Sequence, residues 1–343
     1  MKRNIYIYSP VKDTVDLFLS SSIENFFKLN FNLIVLCNPL LGINYTTNKY
    51  KYKIINIVGN NTQPLSLLND SYVIKNIKDA DVFVFNGSAT IITSLIYKLL
   101  HPFKNNIYIM HGTLKSKGLF FNGIFLILIY LSNLIGIKIY YVNKKFIKYF
   151  PRKKLTKFLG IAGVGVHEED INILINRRKP PKKLVKEYTI AFIGRHEASK
   201  GFNLFLDIAK KNNNNIIKFI TIGGEIQNTN SDNIKMYGKL NRKELFSLFN
   251  DIDILLMPSL SEGLGMSMVE CCIAGIPTIA SSTDGSNQFL KHNYNGKIIH
   301  TRDSFIYLKA IDDIINNYDL YSNNCIEYSE INNNFISKPI TFL

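Results

Sequence analysis

Two glutamates with seven residues between them, Glu262 and Glu270, belong to the segment with the clearest chemical pattern in the chain. Gly263 and Gly265 follow the first glutamate and would let the backbone approach a ligand closely. The N–H groups in the first turn of the helix that follows would present partial positive charge to a phosphate. Glu270 would lie where a carboxylate can accept hydrogen bonds from ribose hydroxyls, and Glu262 could reach a group attached beyond the phosphates. The segment therefore predicts a site for a nucleotide-like anion.

A strand that ends at Pro258 and a helix from about Met266 to a C-cap glycine, Gly275, would position this loop. Short β-rich apolar runs alternate with helical patterns along the whole chain, which is typical of βαβ units with mostly parallel sheets. Strands are predicted over 4–8, 32–36, 53–57, 81–85, 107–110 and 138–142, and, in a second series, over 188–193, 218–222, 234–237, 252–257, 277–280 and 297–299.

The length of 343 residues predicts two domains of ordinary size, and a composition of 46% hydrophobic and 20% charged residues excludes a disordered chain. A charged stretch that contains prolines, 176–185, separates the two series of strands. We therefore predict an α/β protein with two Rossmann-like domains, 1–175 and 186–325, joined by this linker. Residues 326–343 are predicted to be a C-terminal tail, with packing back on the first domain as one option.

The charge of the chain favours an anionic partner. Its 41 Lys and Arg residues exceed its 26 Asp and Glu residues by 15, so a nucleotide, a nucleic acid or a membrane surface would be attracted. Against nucleic acid, the sequence contains no evident RNA-binding or helix-turn-helix motif and does not interleave basic with aromatic residues as a base-stacking surface would. We therefore expect no nucleic acid partner. A basic nucleic-acid-binding protein is the alternative to an enzyme.

The most hydrophobic stretch of the chain, 119–137, allows three interpretations. It is a core-facing helix of an α/β domain, a helix that lies partly in the bilayer interface, or a membrane span. Lysines and arginines stand on both sides of it and would favour an anionic leaflet. We expect peripheral contact with an anionic membrane, with the choice among the three left open.

No metal and no cofactor are expected. The spacing of the four cysteines fits neither a zinc site nor a disulfide scaffold, which suits a reducing cytoplasm. Asp251 and Asp253 form an Asp-x-Asp pair of the kind that binds divalent cations. They lead into a predicted strand, however, and would lie at the opposite edge of a parallel sheet from Glu262. Metal binding by this pair is therefore the weaker interpretation.

The segment with the two glutamates resembles glycosyltransferase family 4 of the GT-B fold. The resemblance rests on Glu262 and Glu270, which come after a strand that ends in Pro258-Ser259 and before Ala274-Gly275-Ile276-Pro277. It implies two Rossmann-like domains with mostly parallel sheets that face each other across a cleft. It also implies a nucleotide diphosphate sugar as the donor substrate and transfer with retention of anomeric configuration.

Further motifs extend the resemblance over about 188–299. The segment 194–201, Gly-Arg-His-Glu-Ala-Ser-Lys-Gly, resembles the part of the family that supplies an arginine and a lysine to the donor phosphates. The Ile-Gly-Gly of 222–224 resembles the glycine turn after the next strand. The Tyr-Gly-Lys-Leu of 237–240 resembles the turn where backbone groups meet the nucleobase.

In the first half of the chain the resemblance is looser. His111 follows a predicted strand and resembles the family's histidine at the end of an N-domain strand. The Asn-Gly-Ser of 86–88 would line the acceptor side, with ordinary turn chemistry as the competing interpretation. The chain departs from the family at 283–288, where Gly-Gly and Pro-Glu are often found, and after Ser9-Pro10, where no glycine follows.

The resemblance implies a set of site residues that would hold the donor sugar and stabilise charge on the departing diphosphate. The predicted catalytic residues are Glu262, His111, Arg195 and Lys200. The predicted donor-binding residues are Gly194, Gly238, Lys239, Gly263, Leu264, Gly265, Met266, Ser267 and Glu270.

Together these expectations predict a retaining, metal-independent hexosyltransferase. It would move a hexose-type sugar from a nucleotide diphosphate sugar to a hydroxyl of a cell-surface glycan or lipid-linked acceptor, as in lipopolysaccharide, O-antigen or capsule biosynthesis. It would act in the cytoplasm, at the inner face of the cytoplasmic membrane. The enzyme alternative is a GT-B sugar-nucleotide epimerase, which would turn over the nucleotide sugar without an acceptor.

Overall fold

The computed structural model describes residues 3–11, 31–38, 53–56, 77–112, 118–159, 166–179, 187–226 and 233–331. The chain divides into two compact units, of which the second runs from Val166 to Ile336. Each unit is built on one parallel sheet accompanied by helices. The predicted α/β class with two Rossmann-like domains is therefore confirmed.

The first unit contains a seven-stranded sheet in the order β3-β2-β1-β4-β5-β6-β7. Each pair of neighbours in this order is parallel. The strands are β1 Asn4–Val11, β2 Asn32–Asn38, β3 Lys53–Asn56, β4 Val82–Asn86, β5 Asn105–Met110, β6 Lys138–Tyr141 and β7 Thr156–Phe158, and the described helices are α1 Ile91–Leu100 and α2 Leu119–Leu134.

The second unit contains a six-stranded parallel sheet in the order β10-β9-β8-β11-β12-β13. Its strands are β8 Tyr188–Ile193, β9 Ile217–Ile222, β10 Ile234–Met236, β11 Ile254–Met257, β12 Thr278–Ser281 and β13 Gly296–Ile299. Its helices are α3 Glu168–Ile175, α4 Phe202–Lys211, α5 Arg242–Ser247, α6 Met266–Ile273, α7 Asp284–Phe289, α8 Ser304–Asn316 and α9 Tyr318–Ile331.

The central strands read as nearly continuous apolar runs because a parallel sheet is usually covered on both faces. All residues of β11 are buried, and Leu256 of this strand shares a core with Phe205 of α4 and Tyr307 of α8. Such runs leave few positions for polar chemistry within the strands themselves. Polar site residues are therefore expected where the strands end.

Helix α3 belongs to the second unit, so the prediction that assigned 166–175 to the first domain was wrong. Leu174 of α3 is fully buried, and the helix packs against α6. Asp170 of α3 forms an ion pair with Arg242 of α5, with 2.7 Å between Oδ2 and Nη2. The sequence carries no sign of this pairing, because the two residues lie 72 positions apart.

The predicted linker and tail are described in part. Arg178 is anchored to the second unit, because its Nε donates to the carbonyl oxygen of Ile273 at 3.0 Å and its Nη1 pairs with Glu330 at 2.6 Å. Linker residues 180–185 and tail residues 332–343 lie outside the described residues. The predicted tail begins inside α9, which continues to Ile331.

The sequence analysis does not predict strand β7. It has three residues, and two of them, Lys157 and Phe158, are exposed. It pairs with β6 alone and forms one edge of the first sheet. An edge strand of this length lacks the apolar run on which the other strand predictions depend.

Helix α2 covers most of the hydrophobic stretch 119–137. Phe125 and Ile129 are buried, as a core-facing helix requires, but much of the rest of its apolar surface is exposed. Among the described residues, no helix combines the length and the hydropathy needed to cross a membrane.

The buried carboxylate of Asp253 joins three segments at the start of β11. Its Oδ1 accepts a hydrogen bond from Nζ of Lys179 at 2.7 Å, and its Oδ2 accepts one from the backbone N–H of Thr189 at 2.8 Å. Protein donors thus occupy both oxygens of the second aspartate in the Asp-x-Asp pair. The contacts assign Asp253 a structural task at the edge of the sheet where the strands begin.

Replacing Asp253 with Ala should lower the free energy of unfolding by about 3 kcal/mol. The largely buried Lys179 would lose its charged partner and keep the carbonyl of Ile252, and the N–H of Thr189 would lose its acceptor. Asp251→Ala is the matched control, because that side chain is exposed and its loss should change stability by less than about 0.5 kcal/mol. Urea denaturation measures both values. Equal, small effects of the two substitutions would contradict the structural assignment.

Candidate functional site

The predicted site residues of the second unit gather at one edge of its sheet. The loops after β8, β9, β10 and β11 all leave the carboxyl ends of parallel strands, and these ends share one edge. Arg195 and Lys200 follow β8, Gly238 and Lys239 follow β10, and Glu262 follows β11. Residues separated by up to 67 positions in sequence are thereby placed on one side of the unit.

Lys200 and Glu262 form the polar centre of this edge. Their Nζ and Oε1 atoms are 2.7 Å apart, and their side chains are 27% and 11% exposed. The hydroxyl of Ser259 donates to the same Oε1 at 3.1 Å. An ammonium group has three donor hydrogens, so a lysine held by one carboxylate can still donate to an anionic ligand.

The loop after β8 lies directly against the end of β11. Gly201 has a φ of 76°, and a Cβ atom at this position would collide with the carbonyl oxygen of Pro258. The backbone N–H of Leu260 donates to the carbonyl of Ser199 at 2.9 Å. This backbone contact brings Lys200 next to the loop that carries Glu262.

The N-terminus of α6 follows that loop, as predicted. Gly265 is its N-cap and has a left-handed conformation with a φ of 76°, which glycine adopts at little cost. The first turn contains Met266 and Ser267 and no acidic side chain, so nothing there offsets the positive end of the helix dipole. Leu264 has a buried side chain, so only its backbone is suited to ligand contact. Gly275 ends the helix with a φ of 76°, as predicted.

Three glycines from separate predicted motifs meet at the ends of β8, β9 and β10. The N–H of Gly223 donates to the carbonyl of Gly238 at 2.7 Å, and a Cβ at Gly223 would lie only 3.0 Å from the carbonyl oxygen of Gly194. The backbones of the three glycines thus lie close together. Lys239, which follows Gly238, is exposed, so it places one cation beside the corner.

Arg195 is more exposed than the predicted phosphate role requires. Its side chain is 65% exposed and pairs with Glu197 at 2.7 Å. The next residue, His196, stacks on Phe202 with 3.9 Å between ring centroids, and its Nδ1 donates to the carbonyl of Glu225 at 2.9 Å. Burial lowers the pKa of His196, although this hydrogen bond opposes the shift. His196 thus fixes the loop that presents Arg195.

Glu270 is buried and forms an ion pair with Arg242, with 3.0 Å between Oε1 and Nη1. This contact lacks hydrogen-bond geometry, and within the described residues Oε1 has no hydrogen-bond partner. Burial raises the pKa of Glu270, while the Arg242 guanidinium acts to lower it. Burial alone would lower the pKa of Arg242, but Glu270 and Asp170 raise it. Arg242 therefore stays charged between two carboxylates.

In the first unit, His111 and Asn86 meet at the ends of β5 and β4. Nε2 of His111 lies 2.6 Å from Oδ1 of Asn86, and Nδ2 of Asn86 donates to the hydroxyl of Ser9 at 3.4 Å. Burial lowers the pKa of His111 to about 4, so the ring is neutral at pH 7. Because an amide oxygen only accepts, Nε2 carries the proton. The two predicted segments are therefore adjacent, as the parallel sheet requires.

Residues 175–331 match the model of the family described as Glycosyl transferases group 1. Over these residues the chain is similar to group 1 glycosyl transferases, and we call the matched region the glycosyl transferase domain. The match begins in α3 and ends with α9, so it covers nearly the whole described second unit. The predicted resemblance to glycosyltransferases of the GT-B fold is confirmed.

Curated relatives of the glycosyl transferase domain include an uncharacterized 41.2 kDa protein in the cps region of Klebsiella pneumoniae, which is 27% identical over 131 residues, or 37% of each chain. The UDP-Gal:alpha-D-GlcNAc-diphosphoundecaprenol alpha-1,3-galactosyltransferase of Escherichia coli is 28% identical over 182 residues. That alignment covers 47% of this chain and 46% of the Escherichia coli enzyme. The alignments thus span less than half the length of these relatives.

A solved structure extends the likeness to both units. The crystal structure of HepE from Anabaena in complex with UDP and glucose matches 97% of this chain and 96% of its own, with a TM-score of 0.73 and 15% sequence identity. At this identity the likeness concerns the fold. The chain therefore has the two-domain α/β fold of GT-B glycosyltransferases.

Four residues of the glycosyl transferase domain escape the sequence analysis. Arg242 and His196 act through contacts with residues distant in sequence, which no local pattern indicates. Ser259 contacts Glu262, three residues further on, but the sequence analysis assigns no role to its hydroxyl. Gly285 stands in the segment that departs from the family, yet its N–H donates to the carbonyl of Glu262 at 2.8 Å, and a Cβ there would press on that loop. The glycine at 285 thus keeps the close loop contact within the altered segment.

Replacing Gly201 with Ala should destabilise the glycosyl transferase domain by about 3 kcal/mol, from left-handed strain together with overpacking against the Pro258 carbonyl. Gly123→Ala is the control, because a Cβ on that helical glycine would meet open space and should raise stability by about 0.5 to 1 kcal/mol. Thermal and urea unfolding give both values. A Gly201→Ala protein as stable as the wild type would disprove the close contact.

Proposed function

We propose that this chain is a retaining glycosyltransferase. It moves a hexose-type sugar from a nucleotide diphosphate sugar to a hydroxyl of a lipid-linked or cell-surface glycan, at the inner face of the cytoplasmic membrane. The observation that carries the proposal is the convergence, at one sheet edge, of the Lys200–Glu262 pair, the glycine corner and the N-terminus of α6.

The diphosphate of the donor would lie against the N-terminus of α6. Backbone N–H groups in the first turn of a helix have no intrahelical acceptor and carry partial positive charge, so they suit phosphate oxygens. Gly265 supplies the left-handed conformation from which this helix begins. Lys200 supplies a full positive charge beside it, and Arg195, on the rim of the loop, supplies a second.

The nucleoside would be held by its ribose and its base. Oε1 of Glu270 is a buried carboxylate oxygen without a hydrogen-bond partner among the described residues, and a ribose hydroxyl would satisfy it. Arg242 would hold this carboxylate in its charged form as the ligand binds. The corner formed by Gly194, Gly223 and Gly238 would offer backbone groups to the base.

Catalysis would depend on electrostatic stabilisation of the departing diphosphate rather than on a covalent intermediate. Lys200 and the helix N-terminus are fixed before the reaction, so they need no reorganisation as charge develops. Glu262 would position the donor sugar through the oxygen that Lys200 leaves available. His111, in the first unit, stays a predicted catalytic residue, and the leaving phosphate would accept the proton of the acceptor.

The class of acceptor is proposed from the relatives. The Escherichia coli relative carries in its name an acceptor attached to diphosphoundecaprenol, and the Klebsiella pneumoniae relative is described by its place in a cps region. Both support a glycan under construction as the acceptor. A lipid carrier would also explain an enzyme located at a membrane surface.

Nucleotide binding tests the donor half of the proposal. Nucleoside diphosphates and their sugars should raise the melting temperature, and a ligand at 100 times its Kd adds about 2.7 kcal/mol of stability. Glu270→Gln should weaken the best ligand by about one to two orders of magnitude, because charge-assisted hydrogen bonds to ribose are lost. Glu327→Gln, an exposed glutamate on α9, should leave the affinity unchanged. Unaltered binding by folded Glu270→Gln would exclude the ribose role.

Sugar transfer should survive excess EDTA, because fixed protein cations and dipoles would stabilise the diphosphate. Lys200→Ala should lower kcat/KM by about two orders of magnitude, whereas Lys210→Ala, an exposed lysine on α4, should not. Transfer that is lost in EDTA and restored by Mg²⁺ or Mn²⁺ would refute metal independence. Donor turnover that needs no acceptor would instead indicate an epimerase.

A further inference from the structure

Helix α2 buries Phe125 and Ile129, but it also buries polar residues and exposes apolar ones, unlike a helix that packs on a core in water. Three of its five buried residues are polar, namely Asn122, Ser132 and Asn133. Its exposed large hydrophobic residues are Leu119, Phe120, Phe121, Ile124, Ile127, Tyr130, Leu131 and Leu134. Leu119 is 89% exposed and Phe120 is 74% exposed. Such a helix is suited to an apolar environment on its outer side.

The end of α1 adds to this surface. Helices α1 and α2 pack against each other, and Leu99, Leu100 and Phe103 at and after the end of α1 are exposed, Phe103 completely. We call these three residues and the exposed hydrophobic residues of α2 the α1–α2 apolar face. Single exposed leucines are ordinary, but a large group on two packed helices marks an interaction surface.

A basic segment without acidic residues adjoins the C-terminal end of α2. Arg152 contacts that end twice, because its N–H donates to Oδ1 of Asn133 at 2.6 Å and its Nη1 donates to the carbonyl of Leu134 at 3.3 Å. The exposed cations of this segment are Lys144, Lys145, Lys148, Arg152, Lys153, Lys154 and Lys157.

The charged residues in the sequence around the face are all basic. From Val82 to His167 it contains twelve lysines and arginines and no aspartate or glutamate. Two copies of the chain that met through this face would bring like charges together, which opposes association. A layer of anionic lipid headgroups above an apolar interior matches both the hydrophobic residues and the cations beside them.

We propose that the α1–α2 apolar face docks on an anionic lipid bilayer, with its hydrophobic side chains in the acyl boundary and the cations of 144–157 against the headgroups. The inference deepens the membrane location in the proposed function and rests on it. Vesicle binding is measured without a sugar donor, however, so a failure of docking and a failure of sugar transfer are separate results.

The absence of tryptophan from the sequence provides a clean optical probe. In Phe120→Trp the new indole would be the only one, and its emission should shift to the blue when phosphatidylglycerol vesicles are added. Brominated acyl chains should quench it. Phe305→Trp, at an exposed position of α8 in the second unit, is the matched control and should show neither change. Identical behaviour of the two probes would overturn the assignment of the face.

Vesicle sedimentation tests the two components of the surface separately. The wild type should bind phosphatidylglycerol vesicles at ~0.1 M salt and phosphatidylcholine vesicles much less, and it should be released as salt shortens the Debye length. Reversing Lys145, Lys148 and Lys154 to Glu should reduce partitioning by about two orders of magnitude, since each cation near an anionic surface contributes roughly fivefold. The matched control reverses Lys210, Lys243 and Lys309, which are exposed on the second unit.

The apolar component is tested by Phe120→Ser with Ile127→Ser, which should reduce partitioning by at least about tenfold. Leu320→Ser with Ile331→Ser, exposed on α9, should not reduce it. Unchanged melting temperatures would show that the variants are folded. Wild type that stays in solution with anionic vesicles at low salt would overturn the proposal. A lipid-free dimer that the Phe120 and Ile127 substitutions dissociate, with vesicle binding intact, would assign the face to a second copy instead.

Discussion

The close contact between Gly201 and Pro258 is the constraint on which the site of the second unit depends. Because residue 201 has no Cβ, the loop after β8 can lie directly on the end of β11, and the neighbouring Lys200 then reaches Glu262. The ion pair itself is too weak to create this arrangement, since a partly exposed pair contributes at most about 1 kcal/mol. The backbone contact sets the geometry, and the charges occupy positions that packing has already fixed.

The charges around Glu270 obey a different constraint. A buried carboxylate is costly unless a partner compensates for its lost hydration. Arg242 provides this compensation and is in turn held by Asp170, so one cation lies between two carboxylates. The same interaction places α3 in the second unit, because Asp170 belongs to that helix. A single arginine thus connects the first segment of the unit to the carboxylate proposed to bind ribose.

Much of the second unit could be predicted from the sequence. Its central strand β11 is an apolar run. Because parallel strands end at one edge, residues such as Lys200 and Glu262 had to meet if the order of strands allowed it. The N-terminus of α6 was predictable because Gly265 and Gly275 mark both ends of the helix. The boundary between the units and strand β7 were not predictable, since one depends on Asp170 and Arg242 and the other is too short to form a pattern.

Composition alone does not place the positive charge on the molecule. The excess of lysine and arginine was consistent with a nucleotide, yet the proposed donor site has few cations, and two of them, Lys200 and Arg195, are paired with carboxylates. Most of the net charge of +15 comes instead from residues 82–167. Hydropathy was ambiguous for a related reason, because it reports how apolar α2 is and not which side is apolar. Because Asn122, Ser132 and Asn133 are buried, the exposed side of α2 is apolar. The exposed apolar residues and the cations beside them therefore belong to the same part of the first unit.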